Sequence, residues 1–350
     1  MKLLRNELKE LMKQKLIRAG LREDHAEITA EILTWSSERG YHSHGEVRME
    51  YYCERIAKGG MTINPNFQWK TTGPCSAIFE GDNGCGYAAA TYAMEKAIAM
   101  AKEEGIAVVG IRNISHSGAI GYYTEMAAKH DLVAISFCQS DPMAVPYGGT
   151  EPYYGTNPIS FAAPTADDRL VVFDMATTVQ AWGKILDLRS KNKSIPDDWA
   201  VDEKGRPVTD PHLVNALLPI AGAKGYGLMM LVDIFAGVLL GVPFGKHVSS
   251  MYHDLSKGRN LGQMHIVINP NRFVGIEEFK ASMSQVCDEL GSMPAAEGFD
   301  KVYYPGERAA LRRKETECAG GIEIVDDIYE YLISDDIHFN RYDHKNRFAD

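Results

Sequence analysis

The sequence has none of the cysteine patterns that hold a zinc ion or a disulfide framework. Its six cysteines, at positions 53, 75, 85, 138, 287 and 318, include no CxxC pair, so we expect reduced thiols in a cytoplasmic protein. The HExxH, DxDxDG and Gly-x-Ser-x-Gly motifs are absent as well. Their absence argues against the common zinc-protease, EF-hand and serine-hydrolase sites, and we predict no metal site.

Long hydrophobic segments and basic clusters are also missing. The most apolar stretch, Leu228 to Leu240, contains Asp233 and is shorter than the roughly 20 residues that span a bilayer, so we predict a buried helix and no membrane partner. The amino terminus is charged rather than an apolar signal core, so we do not expect export.

The overall charge argues against one class of partner and leaves another open. The 350 residues carry 37 Lys and Arg against 47 Asp and Glu, a net charge of −10, without a basic run. We therefore expect no nucleic-acid partner. An anionic small molecule would need a locally positive pocket, because the chain as a whole does not attract anions.

Helices are predicted at both ends of the chain. Helical spacing predicts a first helix capped by Asn6, a second that starts at Asp24 and a third from Glu46 to Lys58. An amphipathic helix is predicted over Gly321 to Ile333. Between these ends strands and helices alternate, which is typical of an α/β layer structure. We predict a discontinuous helical domain of residues 1–70, 226–262 and 310–350 around an inserted α/β domain of residues 71–225 and 263–309.

Two glycine-rich loops are candidates for a nucleotide site. Gly84 to Ala89 reads G-x-G-x-x-A between a strand and a helix, like a Rossmann loop. No acidic residue follows the next strand to bind a ribose, and tight packing explains the glycines equally well. The second loop, Ala221 to Gly227, offers backbone N–H groups and Lys224 to a phosphate. It is not a Walker A motif, and a surface turn is the alternative.

Polar residues cluster in three further places. His44, Arg48 and Tyr52 recur every four residues, as on one helical face. His116 follows one predicted strand, and the segment Gln139 to Pro142 follows the next. Loops at strand ends carry much of the chemistry of α/β proteins, so these residues indicate an enzyme, although a solvated polar surface would show the same pattern.

Longer motifs extend along essentially the whole chain. They are HSHGEVRMEYYCERI, NISHSGAIGYY, CQSDPMAVPYGG, YYGTNPISFAAP, FDMATTVQAWGK, SSMYHDLSKGRNLGQMHIVINP and GIEIVDDIYEYLI. With these motifs the chain resembles the type-2 malate/L-lactate dehydrogenase family.

The resemblance implies a homodimeric oxidoreductase that uses NAD and a small 2-hydroxy acid, with a cofactor domain that is α/β, mixed-sheet and not Rossmann. NAD rather than NADP is expected, although the chain has FDMATT where many relatives have FDMATS. The family's cofactor contacts correspond to Asp174, Met175, Ala176, Thr178, Lys224, Gly225, Gly306, Glu307 and Arg308. Its substrate contacts correspond to Ser43, His44, Arg48, Tyr52, Ser140 and Arg259.

The resemblance also gives His116 the role of the proton-transferring base. An imidazole suits this role near neutral pH, and we predict Asp141 as the partner of its other nitrogen. Arg48 and Arg259 would bind the substrate carboxylate from opposite sides. With Lys224 and Arg308 they would form a confined positive site in an acidic chain. A relative that binds nucleotide without turnover is the alternative from another class.

Overall fold

A seven-stranded sheet lies at the centre of the computed structural model, which describes residues 1–337. The strands are β1 (Lys2–Leu3), β2 (Gln68–Gly73), β3 (Ser76–Gly84), β4 (Ile106–Ile114), β5 (Val133–Cys138), β6 (Ile159–Pro164), β7 (Leu170–Met175), β8 (Ala200–Val201), β9 (Ala216–Leu217), β10 (Leu261–Ile268) and β11 (Ile322–Glu323). The α-helices are α1 (Arg5–Arg18), α2 (Glu23–Glu38), α3 (Met49–Ala57), α4 (Gly86–Glu104), α5 (Gly121–Ala128), α6 (Trp182–Ser190), α7 (Ala223–Ala236), α8 (Ile276–Ser292), α9 (Glu307–Cys318) and α10 (Asp326–Ile333).

The central sheet is mixed, with strand order β2-β3-β4-β10-β5-β6-β7. Only β3 and β4 run parallel, and the other neighbouring strands pair antiparallel. A Rossmann sheet is mostly parallel. The predicted α/β class with a mixed, non-Rossmann sheet is therefore confirmed.

Helices cover both faces of this sheet because successive side chains of a strand point to opposite sides. In β10, His265 contacts the carbonyl oxygen of Ala90 in α4, whereas its neighbour Met264 packs in one apolar cluster with Val232 and Ala236 of α7. The strand is almost fully buried. The strands whose ends carry the site thus lie between two layers of helices.

The amino-terminal helices pack together with the last helix. β1 pairs with β11, α1 contacts α2, α3 and α10, and the buried side chains of these helices join those of α4 in one core cluster. In contrast α7, which we assigned to the helical domain, contacts β5 and β10. The division into two domains stays a prediction, and its last residues, 338–350, lie outside the described part.

Several predicted helix starts are wrong. The first two helices begin at Arg5 and Glu23, without a side-chain cap. The predicted third helix opens with a 3₁₀ turn over Glu46–Arg48, and α3 starts only at Met49. Gly45 separates this turn from the one before it, and it lies so close to Ser37 that a Cβ there would be 2.3 Å from the Ser37 hydroxyl. The final helix is shorter than predicted because β11 occupies its first part.

The apolar stretch at α7 is not the buried helix that we predicted. Residues 223–240 have a mean hydropathy of 1.6, and by length and composition alone they could cross a membrane, but only 39% of them are buried. One side of the segment packs on the sheet, and the other side exposes Met230, Ile234, Val238 and Leu239. Hydrophobicity alone could not distinguish a sheet-covering helix from one with a second apolar face. The sequence analysis also missed β2, α6, α8 and α9.

Candidate active site

A cavity of about 260 Å³ lies at the end of the central strands. It brings together these predicted site residues: Ser43, His44, Arg48, His116, Ser140, Asp141, Asp174, Met175, Ala176 and Arg259. Seven others do not line it: Tyr52, Thr178, Lys224, Gly225, Gly306, Glu307 and Arg308. Its wall also contains residues that we did not predict, among them Tyr41, Met143, Trp182 and Tyr252.

His116 stands in the loop after β4 with one ring nitrogen bonded and the other without a partner. Its Nδ1 is 2.7 Å from the Tyr52 hydroxyl and accepts the backbone N–H of Gly118 at 3.3 Å. The Tyr52 hydroxyl is also 2.8 Å from the hydroxyl of Tyr87. Nε2 has no hydrogen-bond partner among residues 1–337, so it is the nitrogen that can meet a ligand.

The surroundings of His116 keep its ring neutral. Burial lowers its pKa well below 6.5, and His44, Arg48 and Arg259 lower the pKa further. Burial lowers the pKa of His44 in the same way, to about 4. A neutral imidazole can accept a proton, whereas an imidazolium can only donate one. His116 is therefore in the protonation state that a general base requires.

Asp141 does not contact His116, and the predicted pairing of these two residues is wrong. Its Oδ1 is 2.5 Å from Nη2 of Arg259, and its Oδ2 accepts the backbone N–H of Met251. A buried guanidinium requires a counter-charge far more than a neutral imidazole does. Asp141 therefore neutralises Arg259 and fixes the chain before β10, and the predicted positive site is partly compensated.

Arg259 has one nitrogen left for a ligand. The residue is 1% exposed; its Nε donates to Ser249 and its Nη2 to Asp141. The Tyr51 side chain also lies close to the guanidinium, but Nη1 makes no hydrogen bond of good geometry among residues 1–337. Because leaving a buried donor unpaired is costly, this nitrogen marks a position where an oxygen acceptor would be stabilised.

Arg48 approaches the same cavity from the amino-terminal segment. Its Nε donates to the carbonyl of Ser43 at 2.6 Å, and its Nη1 donates to the Tyr252 hydroxyl at 2.7 Å. These bonds tie the turn that carries Ser43 and His44 to the segment before β10. Two guanidinium groups thus line one small cavity, which suits a planar carboxylate.

Tyr52 was predicted to contact substrate, but it is 1% exposed and lies behind His116. Spacing alone predicted Arg48 and Tyr52 on one face of a helix, with His44 at its entrance. Arg48 instead ends a 3₁₀ turn and Tyr52 lies in α3, so His44 and Arg48 reach the cavity while Tyr52 points to the inner side of the imidazole.

Arg55 is a buried residue that the sequence analysis missed. It donates through Nη1 to the carbonyl of Lys257 at 2.6 Å and through Nη2 to that of Met251 at 3.2 Å. It thereby holds the segment that carries Arg259. No local pattern marks this role, because the two carbonyl groups that it holds are about 200 positions away along the chain.

The cofactor candidates gather around the end of β7. Asp174 accepts the N–H of Gly121 at 2.7 Å, and its crowded position raises the pKa of the carboxyl to about 6. Thr178 follows this strand and forms a bridge with Pro219, and the N–H of Ile220 donates to the carbonyl of Thr177. These contacts place the first turn of α7, with Lys224 and Gly225, beside the strand end.

The third cofactor segment lies on the other side of β7. Gly306 has a left-handed φ of 93° and lies so close to Val172 that a Cβ would be 2.7 Å from its carbonyl oxygen. Glu307 is held by Lys301 at 2.6 Å but keeps one carboxylate oxygen buried without a partner, and Arg308 stacks on Tyr303. An unpaired carboxylate oxygen suits a hydroxyl donor such as a ribose, so these residues fit a nucleotide.

The first glycine loop, Gly84 to Ala89, has a packing role. A Cβ on Gly86 would lie 2.2 Å from the carbonyl oxygen of Ser115, so α4 starts directly against the chain that carries His116. Tyr87 of the same loop contacts Tyr52. The loop thus packs against the segment of His116 on the side away from the cavity.

No group of three His, Cys, Asp or Glu side chains is placed to hold a metal ion among residues 1–337. The fold and site define an α/β protein with a mixed sheet and a cavity lined by a neutral histidine and two arginines. The chain belongs to the malate/L-lactate dehydrogenase family, whose model matches residues 4–333.

Relatives match over nearly the full length. The chain is 56% identical over 349 residues to "Ureidoglycolate dehydrogenase (NAD(+))" of Escherichia coli O157:H7, covering 100% of both chains. It is 37% identical over 327 residues to malate dehydrogenase of Pyrococcus horikoshii, covering 91% of this chain and 89% of that one. Among solved structures, sulfolactate dehydrogenase from Methanocaldococcus jannaschii matches with a TM-score of 0.88 and 34% identity over 95% of each chain.

Proposed function

We propose that this protein oxidises (S)-ureidoglycolate to oxalurate (N-carbamoyl-2-oxoglycine) with NAD as hydride acceptor. The observation that carries the proposal is the pair of unpartnered nitrogens beside one cavity, Nε2 of His116 and Nη1 of Arg259. One suits a reacting hydroxyl and the other a neighbouring carboxylate. The full-length similarity to an NAD-dependent ureidoglycolate dehydrogenase supports this substrate within the family.

The cavity residues divide the reaction between them. Arg259 and Arg48 bind the carboxylate and so orient the carbon that carries the hydroxyl group. As the C–H bond breaks, Nε2 of His116 accepts the hydroxyl proton, leaving a carbonyl group on the same carbon. When bound, NAD supplies the hydride acceptor and leaves as NADH. Asp174, Met175 and Ala176 line the same cavity, so they would hold the cofactor within reach of this carbon.

The ureido group of the substrate needs polar partners as well. Ser140 lines the cavity, and its hydroxyl is 2.9 Å from that of Thr156. Ser140 and the backbone of residues 139–143 are our candidates for reading the ureido N–H groups and carbonyl. Malate and lactate have no such group, so these contacts would separate ureidoglycolate from the family's other substrates.

The substrate assignment is tested by following NADH formation with ureidoglycolate, malate, lactate and sulfolactate in parallel. We expect the highest kcat/KM with ureidoglycolate and NAD. Fast turnover of malate with none of ureidoglycolate would reject the substrate, as would a clear preference for reducing a cyclic imine. Calorimetric binding of NAD without turnover of any hydroxy acid would instead favour a non-catalytic nucleotide-binding protein.

We also place this reaction in allantoin breakdown, within purine metabolism in the cytoplasm. The product carries both an oxo acid and a carbamoyl group, so an enzyme that cleaves the carbamoyl nitrogen would follow. A strain without this gene should accumulate ureidoglycolate when allantoin is the nitrogen source. Unchanged ureidoglycolate levels would reject this place in metabolism. They would not contradict an activity measured in vitro.

We further propose that the protein is a homodimer, with neither a membrane nor a nucleic acid as partner. The outer side of residues 223–240 exposes Met230 (39%), Ile234 (47%), Val238 (53%) and Leu239 (62%). A row of this kind at helical spacing is typical of a surface that a second protein covers. A second copy of the chain supplies the same apolar row, as a twofold interface requires.

The dimer is tested by placing charges in this row. Ile234→Lys combined with Leu239→Lys should convert the protein to a monomer in sedimentation velocity experiments, because a twofold axis brings both copies of each charge into one interface. Leu213→Lys is the matched control, since Leu213 is equally exposed (61%) on a separate turn. A wild-type monomer, or binding of the wild type to lipid vesicles through this face, would contradict the proposal.

A further inference from the structure

We propose that Tyr87 and Tyr52 are positioning residues whose hydroxyl groups form a directed hydrogen-bond chain onto Nδ1 of His116. In the free protein this chain holds the neutral imidazole as the tautomer with its proton on Nε2. The influence on turnover rests on the proposed function, but the tautomer itself does not.

The first step is the bond from Gly118. A backbone N–H can only donate, and the N–H of Gly118 reaches Nδ1 of His116 at 3.3 Å. Nδ1 must therefore present its lone pair. In a neutral imidazole one nitrogen accepts and the other carries the proton, so the proton belongs on Nε2.

The second step is the direction of the phenol chain. Tyr87 is 1% exposed, and its hydroxyl has one hydrogen-bond partner among residues 1–337, the Tyr52 hydroxyl at 2.8 Å. Burying a hydroxyl hydrogen without an acceptor is costly, so Tyr87 donates to Tyr52. Tyr52 then has its own hydrogen to donate, and Nδ1 of His116 lies 2.7 Å away.

Both phenols keep their protons under any working condition. Burial raises the pKa of Tyr52 and of Tyr87 well above 10. Neither hydroxyl therefore ionises to become an acceptor without a hydrogen, and each keeps a hydrogen that it must donate. The two steps therefore agree, and both donors at Nδ1 favour the same tautomer.

The third step is the consequence on the cavity side. In this tautomer His116 offers an N–H to a ligand, which suits the carbonyl oxygen of a 2-oxo acid. For Nε2 to accept a hydroxyl proton, the ring has to change tautomer: Nε2 releases its proton to solvent and Nδ1 gains one in exchange. The hydroxyl chain then reverses, so that Nδ1–H donates to Tyr52 and Tyr52 donates to Tyr87. The reversal leaves the Tyr87 hydrogen without an acceptor among residues 1–337. The pair of Tyr87 and Tyr52, here called the dyad, thus makes the imidazole of His116 less basic.

Other charges act on this ring and must be kept constant in a test. The groups that face His116 are His44 and Arg48 from the turns before α3, Arg55 from α3 and Arg259 from the segment before β10. All four disfavour the imidazolium, as the dyad does. A substitution of Tyr87 leaves each of them in place, so its effect on the pKa of His116 can be assigned to the hydroxyl chain.

The tautomer is measured directly by nitrogen NMR of the full-length, cofactor-free protein labelled at histidine. We expect the wild-type His116 ring to carry its proton on Nε2. In Tyr87→Phe, the pKa of His116 should rise by roughly half to one pH unit, the effect of one neutral hydrogen bond, and the Nδ1–H tautomer should become detectable. A wild-type ring protonated on Nδ1 would overturn the proposal.

The control is Tyr123→Phe, which removes another buried phenol hydroxyl, bonded to the Ser117 carbonyl at 2.6 Å. Its His116 signals should match the wild type, and an equal shift in both variants would reduce the dyad to general packing. If Tyr87→Phe does not fold, Tyr52→Phe takes its place, because it removes a donor from Nδ1 and should also raise the pKa of His116.

Turnover adds a second readout. The acid limb of kcat/KM for ureidoglycolate oxidation should move to higher pH in Tyr87→Phe by the same amount as the NMR titration of His116. A limb that stays in place while the NMR titration moves would remove the dyad from catalysis. A protein that turns over no hydroxy acid would reject the proposed function but leave the tautomer measurement standing.

Discussion

The cavity and the sealed interior of this protein contain the same types of charged and titratable residue with different hydrogen bonding. His265 in β10 uses both ring nitrogens, towards Ser136 at 2.7 Å and Ala90 at 3.2 Å. His116 uses one. Burial lowers the pKa of both rings, so burial does not distinguish them. The distinguishing feature is one nitrogen without a protein partner.

The two buried arginines repeat this contrast. Arg55 and Arg259 are 0% and 1% exposed. Every nitrogen of Arg55 donates to the protein, to Tyr51, Lys257 and Met251, whereas Nη1 of Arg259 has no hydrogen-bond partner in the described part of the chain. An unpaired buried donor lowers the stability of the folded protein, so stability does not explain why it is there. Unsatisfied hydrogen bonding beside a cavity is thus a better mark of function than residue type or burial.

The largest effect is expected from the histidine pair. His116→Ala should lower kcat/KM for hydroxy-acid oxidation by about 10² to 10⁴, the range for losing a general base, with little change in the unfolding midpoint. His265→Ala should do the reverse and lower the midpoint while the activity per folded molecule remains. Steady-state kinetics and thermal unfolding of both variants test this, and equal activity losses would break the comparison.

The arginine pair should show the next largest effect. Arg259→Lys keeps the charge beside Asp141 but loses the planar fork, so KM for the hydroxy acid should rise about 10- to 100-fold, as expected for a lost hydrogen bond to a charged group. The dissociation constant of NAD, measured by calorimetry, should hardly change.

Arg55→Lys serves as the matched variant. It should reduce the free energy of unfolding by about 1 to 3 kcal/mol, since two carbonyl groups lose their donors, and it should raise KM less than Arg259→Lys does. An unchanged KM in Arg259→Lys would remove that residue from the substrate site.

The sequence predicted the positions of function better than their connections. His116 and Ser140 were found because they follow strands, and spacing predicted most strands of the central sheet and the helices α4 and α5, but not α6, α8 and α9. The partner of Asp141 could not be found, because Arg259 lies 118 positions away and a carboxylate near a histidine in a motif looks like its partner. Tyr87 was hidden inside a motif that resembles a nucleotide loop.

Local geometry explains the remaining errors. The family resemblance placed Tyr52 in the substrate site, and helical spacing put it on one face with Arg48, but Arg48 ends a 3₁₀ turn that precedes α3. The exposed face of α7 was missed because apolar composition does not record which side meets the sheet. Contacts between distant segments therefore decide what sequence spacing leaves open.

The smallest effect is expected from a pair of carboxylates, Asp233 in the interior and Asp174 at the cavity. Asp233 in α7 accepts from Gln139 at 3.3 Å and from the N–H of Gly245 at 3.0 Å, one bond to each oxygen. Among residues 1–337, Asp174 at the cavity accepts only the N–H of Gly121. The pKa of both carboxyls is raised, that of Asp233 by burial and that of Asp174, whose residue remains exposed, from 3.8 to about 6 by the protein atoms crowded around its carboxyl. An acid with a raised pKa destabilises the fold where it is ionised, above about pH 6, and the penalty fades as pH falls towards 3.8.

Asp174→Asn should therefore raise the unfolding midpoint at pH 7.5, because the amide removes the charge and its oxygen can still accept the N–H of Gly121. The gain should shrink as pH falls from about 6 towards 4. Asp233→Asn should lower the unfolding midpoint, since its new NH₂ group would replace an oxygen that now accepts a hydrogen bond and would face an N–H group instead. Thermal unfolding of both variants across this pH range measures the difference. A constant offset for Asp174→Asn would mean that its carboxylate is already well solvated, and that the cavity end of β7 resembles open surface more than a site prepared for a ligand.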